Sequence, residues 1–122
     1  MPNPKRILIF EDNPSIRTLL KLFCEKRGLE PLVFEDAVDA VALTVEHDPA
    51  LILMDIIMPG KDGVQATRDL RRAGVAAPII VLTSKHYEED RVRALEAGAT
   101  GFMLKPFNPA KLDELIRPLL PS

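Results

Sequence analysis

The chain has 122 residues, with 16 Lys and Arg against 18 Asp and Glu, 47% hydrophobic and 28% charged residues. That length suits one domain, the composition excludes a disordered chain, and near-neutral charge without a basic stripe argues against a nucleic-acid-reading surface. No apolar run reaches the roughly 20 residues of a membrane span, the opening MPNPKRILIF lacks a signal-peptide core, and the lone Cys24 has no internal disulfide partner, so a cytoplasmic protein is expected.

Five apolar strand-like runs alternate with five helical stretches, the pattern of an α/β protein with a parallel sheet. After a strand over 6–10, Asn13-Pro14 supplies a helix N-cap and a proline at the first helical position. The helix carries an apolar stripe of Ile16, Leu19, Leu20, Phe23 and Cys24, and Gly28 ends it. A strand over 30–34 follows. Asp36 is expected to open the second helix, 37–46, which carries Ala37, Ala40, Val41 and Leu43. Leu51-Ile52-Leu53-Met54 reads as a strand buried on both faces, 51–55, with Asp55 at its end and Met58-Pro59-Gly60 as the turn beyond. Asp62 opens a helix over 63–73 with Val64, Thr67 and Leu70 inward, stopped by Gly74. A fourth strand, 79–83, leads to a helix over 87–97, charged outside, with a Glu89–Arg93 pair and with Val92 and Leu95 inward. The last strand, 101–104, precedes Asn108-Pro109 and a helix over 109–117 that packs Leu112, Leu115 and Ile116 until Pro118 ends it. No linker or repeat is left over, so the expectation is a single domain over 1–122 without an output domain.

The polar residues at the strand ends carry the functional reading. In an open α/β sheet, ligands bind beyond the carboxyl ends of the strands. Glu11-Asp12 follows the first strand, Asp55 ends the third, Thr83-Ser84 ends the fourth and Lys105-Pro106 follows the fifth. A buried carboxylate such as Asp55 costs several kcal/mol unless it is solvated or partnered. Three carboxylates about 5 Å apart repel by roughly 3 kcal/mol per pair at an effective dielectric of about 20, so the cluster needs a cation. Oxygen ligands without His or Cys suit Mg²⁺. A nucleophilic carboxylate beside a metal, a hydroxyl and a lysine suits phosphoryl transfer, which makes Asp55 the expected acceptor. Taken singly, Glu11 and Asp12 read as acids at a helix start, Asp55 as a turn residue, Thr83 as a cap and Lys105 as a surface lysine. Their coincidence on one rim favours the site. His47 and His86 read as surface residues without metal-ligand company.

Phe10-Glu11-Asp12-Asn13, Met54-Asp55 with Met58-Pro59-Gly60, Val81-Leu82-Thr83-Ser84 and Phe102-Met103-Leu104-Lys105-Pro106-Phe107 resemble the receiver domain of two-component response regulators, over essentially the whole chain. The resemblance implies a doubly wound (βα)5, flavodoxin-like sheet in the order 2-1-3-4-5. It implies that Asp55 accepts a phosphoryl group from a phosphohistidine on a sensor histidine kinase or a histidine phosphotransfer protein. Such a chain is a signalling domain rather than an enzyme, contributing to its own phosphotransfer and to slow autodephosphorylation. Mg²⁺ would be held by Asp12 directly, by Glu11 through water, by Asp55 and by the Ile57 backbone carbonyl. Lys105 would pair with Asp55 and then with a phosphoryl oxygen, and its bond to Pro106 would be cis.

By the same resemblance, Thr83 would swing to the phosphoryl group and Phe102 would turn inward. The fourth helix, fifth strand and fifth helix would then meet a downstream protein or form a phosphorylation-dependent dimer, without direct nucleic-acid or membrane contact. Ile16, Arg17, Pro106 and Phe107 would dock the phosphodonor. Three departures stand out: Phe102 occupies a position where many members have Tyr, Glu11 replaces a frequent Asp, and Ile57 and Lys85 occupy positions that tune phosphorylation lifetimes. A haloacid-dehalogenase-type phosphatase would need a second carboxylate where Ile57 stands. A flavodoxin-like cofactor carrier would have its phosphate repelled by Glu11-Asp12, and neither GxGxxG nor GxxxxGK[ST] is present. The alternative that stays open is a phosphorylation-independent receiver-fold module for interaction or dimerisation.

Overall fold

In the computed structural model the described residues are 3–83 and 87–121; the expectations for Ser84, Lys85 and His86 lie outside them. Strands and helices alternate as β1 (Asn3–Phe10), α1 (Pro14–Glu25), β2 (Glu30–Phe34), α2 (Ala40–His47), β3 (Pro49–Asp55), α3 (Gly63–Arg72), β4 (Ile79–Thr83), α4 (Tyr87–Ala97), β5 (Gly101–Leu104) and α5 (Pro109–Ile116). A short 3₁₀ turn, Arg117–Leu119, follows α5 and contains Pro118. The strands form one parallel sheet in the order β2-β1-β3-β4-β5, the flavodoxin-like arrangement expected of the sequence.

Register brings the functional ends into line. Phe10 pairs with both Phe34 and Met54, Asp55 with Leu82, and Thr83 with Leu104. All seven residues of β3 are buried because helices cover both faces of the sheet. Its side chains alternate between two cores. Leu51 and Leu53 join Leu20, Phe23, Leu112 and Ile116 under α1 and α5, while Ile52 and Met54 join Ala40, Val64, Leu70 and Ala94 under α2, α3 and α4.

The helices differ from expectation in instructive ways. α2 starts at Ala40 rather than at residue 37. The Asp36 carboxylate accepts from the Val38 N–H at 3.0 Å, a local turn that competes with helix formation; Ala37 is nevertheless buried. In α1 the inward stripe is Leu20, Phe23 and Cys24, and Leu19 lies on the flank, 54% exposed. In α4 the inward residues are Ala94 and Ala97, not Val92 and Leu95, which are 43% and 40% exposed. Both pairs share the same helical spacing, and size misdirects the choice, because α4 seats closely enough against the core that methyl groups fill the gap. Arg93 pairs with Asp90 at 3.5 Å and with Asp62 at 3.6 Å, in place of the expected Glu89.

The Arg71 guanidinium, near the end of α3, ties together three chain segments. It donates to the carbonyls of Gly98, Val75 and Ala77 at 2.9, 2.7 and 2.8 Å. Hydrogen bonds from a charged donor contribute about 1.5–3 kcal/mol, and the carbonyls left behind lose their partner. Arg71→Met is therefore expected to lower unfolding free energy by about 3 kcal/mol; denaturant titration checks this, and a loss below about 1 kcal/mol would show that the three bonds are replaced by water.

Candidate acidic site at the strand ends

The site begins with the way β1 ends. Asn13 caps α1 by accepting from the N–H groups of Ser15 and Ile16, which turns the chain sharply after Phe10 and sets Glu11 and Asp12 on the rim. Glu11 is fully buried and Asp12 is exposed. Glu11 is held from two sides: one carboxylate oxygen accepts from the Asn13 N–H at 3.1 Å, and the other meets the Lys105 ammonium at 2.9 Å. Arg17 supports the same loop from below, donating to the carbonyls of Glu11 and Asp12 at 2.9 and 3.3 Å and pairing with Glu35 at 3.7 Å. Arg17 was expected as a docking residue; in the fold its guanidinium engages the acidic loop.

Asp55 is buried, 3% exposed, and therefore relies on a partner rather than on water. That partner is Lys105, whose ammonium lies 3.1 Å from one Asp55 oxygen. Lys105 thus bridges Asp55 and Glu11, and its contact with Glu11, absent from the expectation, is the shorter of the two. Carboxylate oxygens of Glu11, Asp12 and Asp55 all lie within 4.8 Å of one another. One ammonium facing three carboxylates leaves the cluster short of positive charge. Burial, then the hydrogen bond and charge of Glu11, push the Asp55 carboxyl up to about 7, and Lys105 offsets only part of this. Burial works against the Lys105 charge, but the bond to Glu11 and the neighbouring carboxylates outweigh it and raise its pKa. This all-oxygen set with unbalanced negative charge fits a hard divalent cation such as Mg²⁺.

The peptide between Lys105 and Pro106 is cis. The Lys105 backbone N–H donates to the Thr83 carbonyl at 2.6 Å, fixing the two rim residues to each other. Thr83 is buried, and its hydroxyl donates to Asp90 in α4 at 2.9 Å. Phe102 is half-buried against the core, with the Arg91 guanidinium 5.9 Å from its ring centre. Ile57, two residues after Asp55, is 59% exposed. Of the remaining docking expectations, Ile16 is half-buried against the α1–α5 core, Pro106 is exposed, and Phe107 packs edge-on against Phe23 with ring centres 6.1 Å apart.

Gly63 is a site residue that the sequence reading took only for a helix start. Its N–H donates to the Ile56 carbonyl at 2.7 Å, closing the turn back onto the strand. A Cβ at this position would stand 2.0 Å from the Asp55 carbonyl oxygen. Gly60 serves the same turn differently, adopting φ 84°, a left-handed conformation that glycine adopts without strain. The Asp62-Gly63 pair, coming soon after a buried acid, is the only sequence signal of the close approach.

A doubly wound sheet with an acidic pocket and a lysine at its strand ends defines a class of proteins rather than one member. A family model for the response regulator receiver domain matches residues 7–117. The chain belongs to that family. It is 38% identical over 118 residues to the phosphate regulon transcriptional regulatory protein PhoB of Escherichia coli, covering 95% of this chain and 52% of PhoB, so it spans about half the length of that relative. It is 37% identical over 112 residues to the chemotaxis protein CheY of Halobacterium salinarum, covering 91% of this chain and 93% of CheY. Among solved structures, the BeF₃-activated N-terminal receiver domain of Klebsiella pneumoniae RstA superposes with a TM-score of 0.88 at 33% identity, covering 96% and 99% of the two chains. Among the described residues no helix is long and apolar enough to cross a membrane.

Proposed function

We propose that the chain accepts a phosphoryl group on Asp55 from a phosphohistidine donor and converts it into a changed partner-binding surface. The observation that carries this reading is the Lys105 ammonium spanning Glu11 and Asp55, with Asp12 beside them, on the rim where the strands end. In the transfer an Asp55 oxygen attacks phosphorus, the phosphorus–nitrogen bond breaks, and the imidazole leaves. Lys105 favours the ionised form of Asp55 against burial and Glu11, and then pairs with a phosphoryl oxygen as a compact charge. Mg²⁺, held by Asp12, Asp55, Glu11 and the Ile57 carbonyl, would neutralise charge on the phosphoryl oxygens.

In this reading the residues act as a receiver module in the cytoplasm, fed by a sensor histidine kinase or a histidine phosphotransfer protein. Thr83 and Phe102 form the switch, and the α4–β5–α5 face, with exposed Val92, Leu95 and Leu104, meets a downstream protein or a second copy. Ile16, Arg17, Pro106 and Phe107 remain the proposed docking residues for the donor. The exposed apolar Ile57 offers no polar group to orient a water, which favours slow loss of the phosphoryl group. Intact-mass measurement after incubation with a small-molecule phosphodonor and Mg²⁺ tests the reading. Gain of one phosphoryl group by the wild type and none by Asp55→Asn is expected. Uptake by Asp55→Asn would overturn the assignment, and no uptake in any sample would favour a phosphorylation-independent binding module.

A further inference from the structure

We propose that Asp90 is a positioning residue of the switch: its carboxylate holds the Thr83 hydroxyl on the α4 side of the rim, so Thr83 reaches a phosphoryl group only by leaving α4. The proposal rests on the reading of Asp55 as phosphoacceptor. The Thr83 hydroxyl donates to one Asp90 oxygen at 2.9 Å, and the Asp90 side chain is only 12% exposed. The second Asp90 oxygen faces the Arg93 guanidinium at 3.5 Å. Arg93 in turn reaches Asp62 at 3.6 Å, and Asp62 caps α3 by accepting from the Gln65 N–H at 2.8 Å.

The chemistry of a hydroxyl makes this arrangement a choice between two states. Threonine carries one donor proton, and an ionised carboxylate can only accept, so the proton in this contact belongs to Thr83. A phosphoryl oxygen is also an acceptor. Thr83 cannot donate to both, and every phosphoryl contact it makes forfeits the bond to α4. Breaking that bond releases Asp90 to Arg93 alone and loosens the chain of contacts from the rim through α4 to the start of α3. The latch thus lowers affinity for the phosphoryl group while coupling its arrival to α4.

Beryllofluoride with Mg²⁺ serves as the probe, its binding followed by fluorine NMR on the full chain. Wild type, Asp90→Asn, Asp90→Ala, Thr83→Val and the Thr83→Val/Asp90→Ala double variant are compared. Loss of a charge-assisted hydrogen bond corresponds to roughly tenfold or more, so Asp90→Ala is expected to bind at least about tenfold more tightly than wild type. Asp90→Asn, which keeps an acceptor oxygen, should gain less, and the gain should vanish in the Thr83→Val background. A gain of equal size in that background would mean that Asp90 acts through its charge or through the first turn of α4, and would overturn the latch. Binding by the wild type with no gain in Asp90→Ala would overturn the latch alone. Failure of the wild type to bind the probe would remove the phosphoacceptor reading together with it.

Discussion

Asp55→Asn is expected to make the metal-free protein more stable at pH 8, although it removes one partner of an ion pair. Burial and Glu11 raise the Asp55 carboxyl from 3.8 to about 7, which at about 1.4 kcal/mol per unit corresponds to about 4 kcal/mol. The sign follows from linkage. A carboxyl whose folded pKa lies above its unfolded value favours the folded state below about pH 4 and loses that contribution as pH rises to about 7. Asparagine has no charge to lose, so the variant's advantage over wild type should grow from under about 1 kcal/mol near pH 4 to about 4 kcal/mol at pH 8. Lys105 keeps Glu11 as a partner at 2.9 Å, so the substitution does not strand it. Added Mg²⁺ should narrow the gap at pH 8 by stabilising the wild type preferentially. Denaturant unfolding with chelator at the two pH values measures this, and a wild type more stable than Asp55→Asn at pH 8 would show that the Lys105 pair dominates the pocket.

Gly63→Ala carries the second large effect. The added methyl would meet the Asp55 carbonyl oxygen at 2.0 Å, its carbonyl carbon at 2.8 Å and the Ile56 Cα at 3.0 Å. All three are backbone atoms at the end of a fully buried strand, so none can rotate aside as a side chain would. Overpacking of this kind typically costs 1–3 kcal/mol, and rigid backbone on the receiving side places the expected loss at about 3 kcal/mol or more. The displacement falls on the residue that presents the carboxylate, so Mg²⁺ affinity and phosphoryl uptake should fall with stability. Calorimetric Mg²⁺ titration together with thermal unfolding tests this. A variant of wild-type stability and wild-type Mg²⁺ affinity would mean that the α3 start shifts as a unit.

The sheet and the rim were legible in the sequence because both rest on local patterns. Apolar runs between turn residues set β2, β4 and β5 to the residue, Asn13-Pro14 and Asn108-Pro109 mark where α1 and α5 begin, and residues that immediately follow strands must share one edge of a parallel sheet. Contacts between side chains and distant backbone were not legible. Arg71 reaches the carbonyl of Gly98, 27 positions away, and Gly63 matters through a strand end that folding brings beneath it. Nothing in a single sequence separates such an arginine or glycine from an ordinary one. The misjudged face of α4, and the exposure of Leu19 at the edge of an otherwise correct α1 stripe, have another cause. Periodicity gives the spacing of an inward stripe but not its phase, and preferring large residues selected Val92 and Leu95 where Ala94 and Ala97 face the core.

That seat of two alanines sets the mechanical character of α4. Withdrawing a helix from a core forfeits transfer free energy and leaves a void, at about 24 cal/mol per Å³ of cavity in a well-packed protein. Phe23 and Leu20 anchor α1 with large volumes that would be costly to vacate, whereas the apolar residues that α4 buries, among those described, are Ala94 and Ala97, whose methyl groups would leave small voids. Val92 and Leu95 are already 43% and 40% exposed, so a small slide or roll takes little further area out of the core. α4 is thereby cheaper to displace than α1, and it is also the wall to which the Thr83 hydroxyl is fastened.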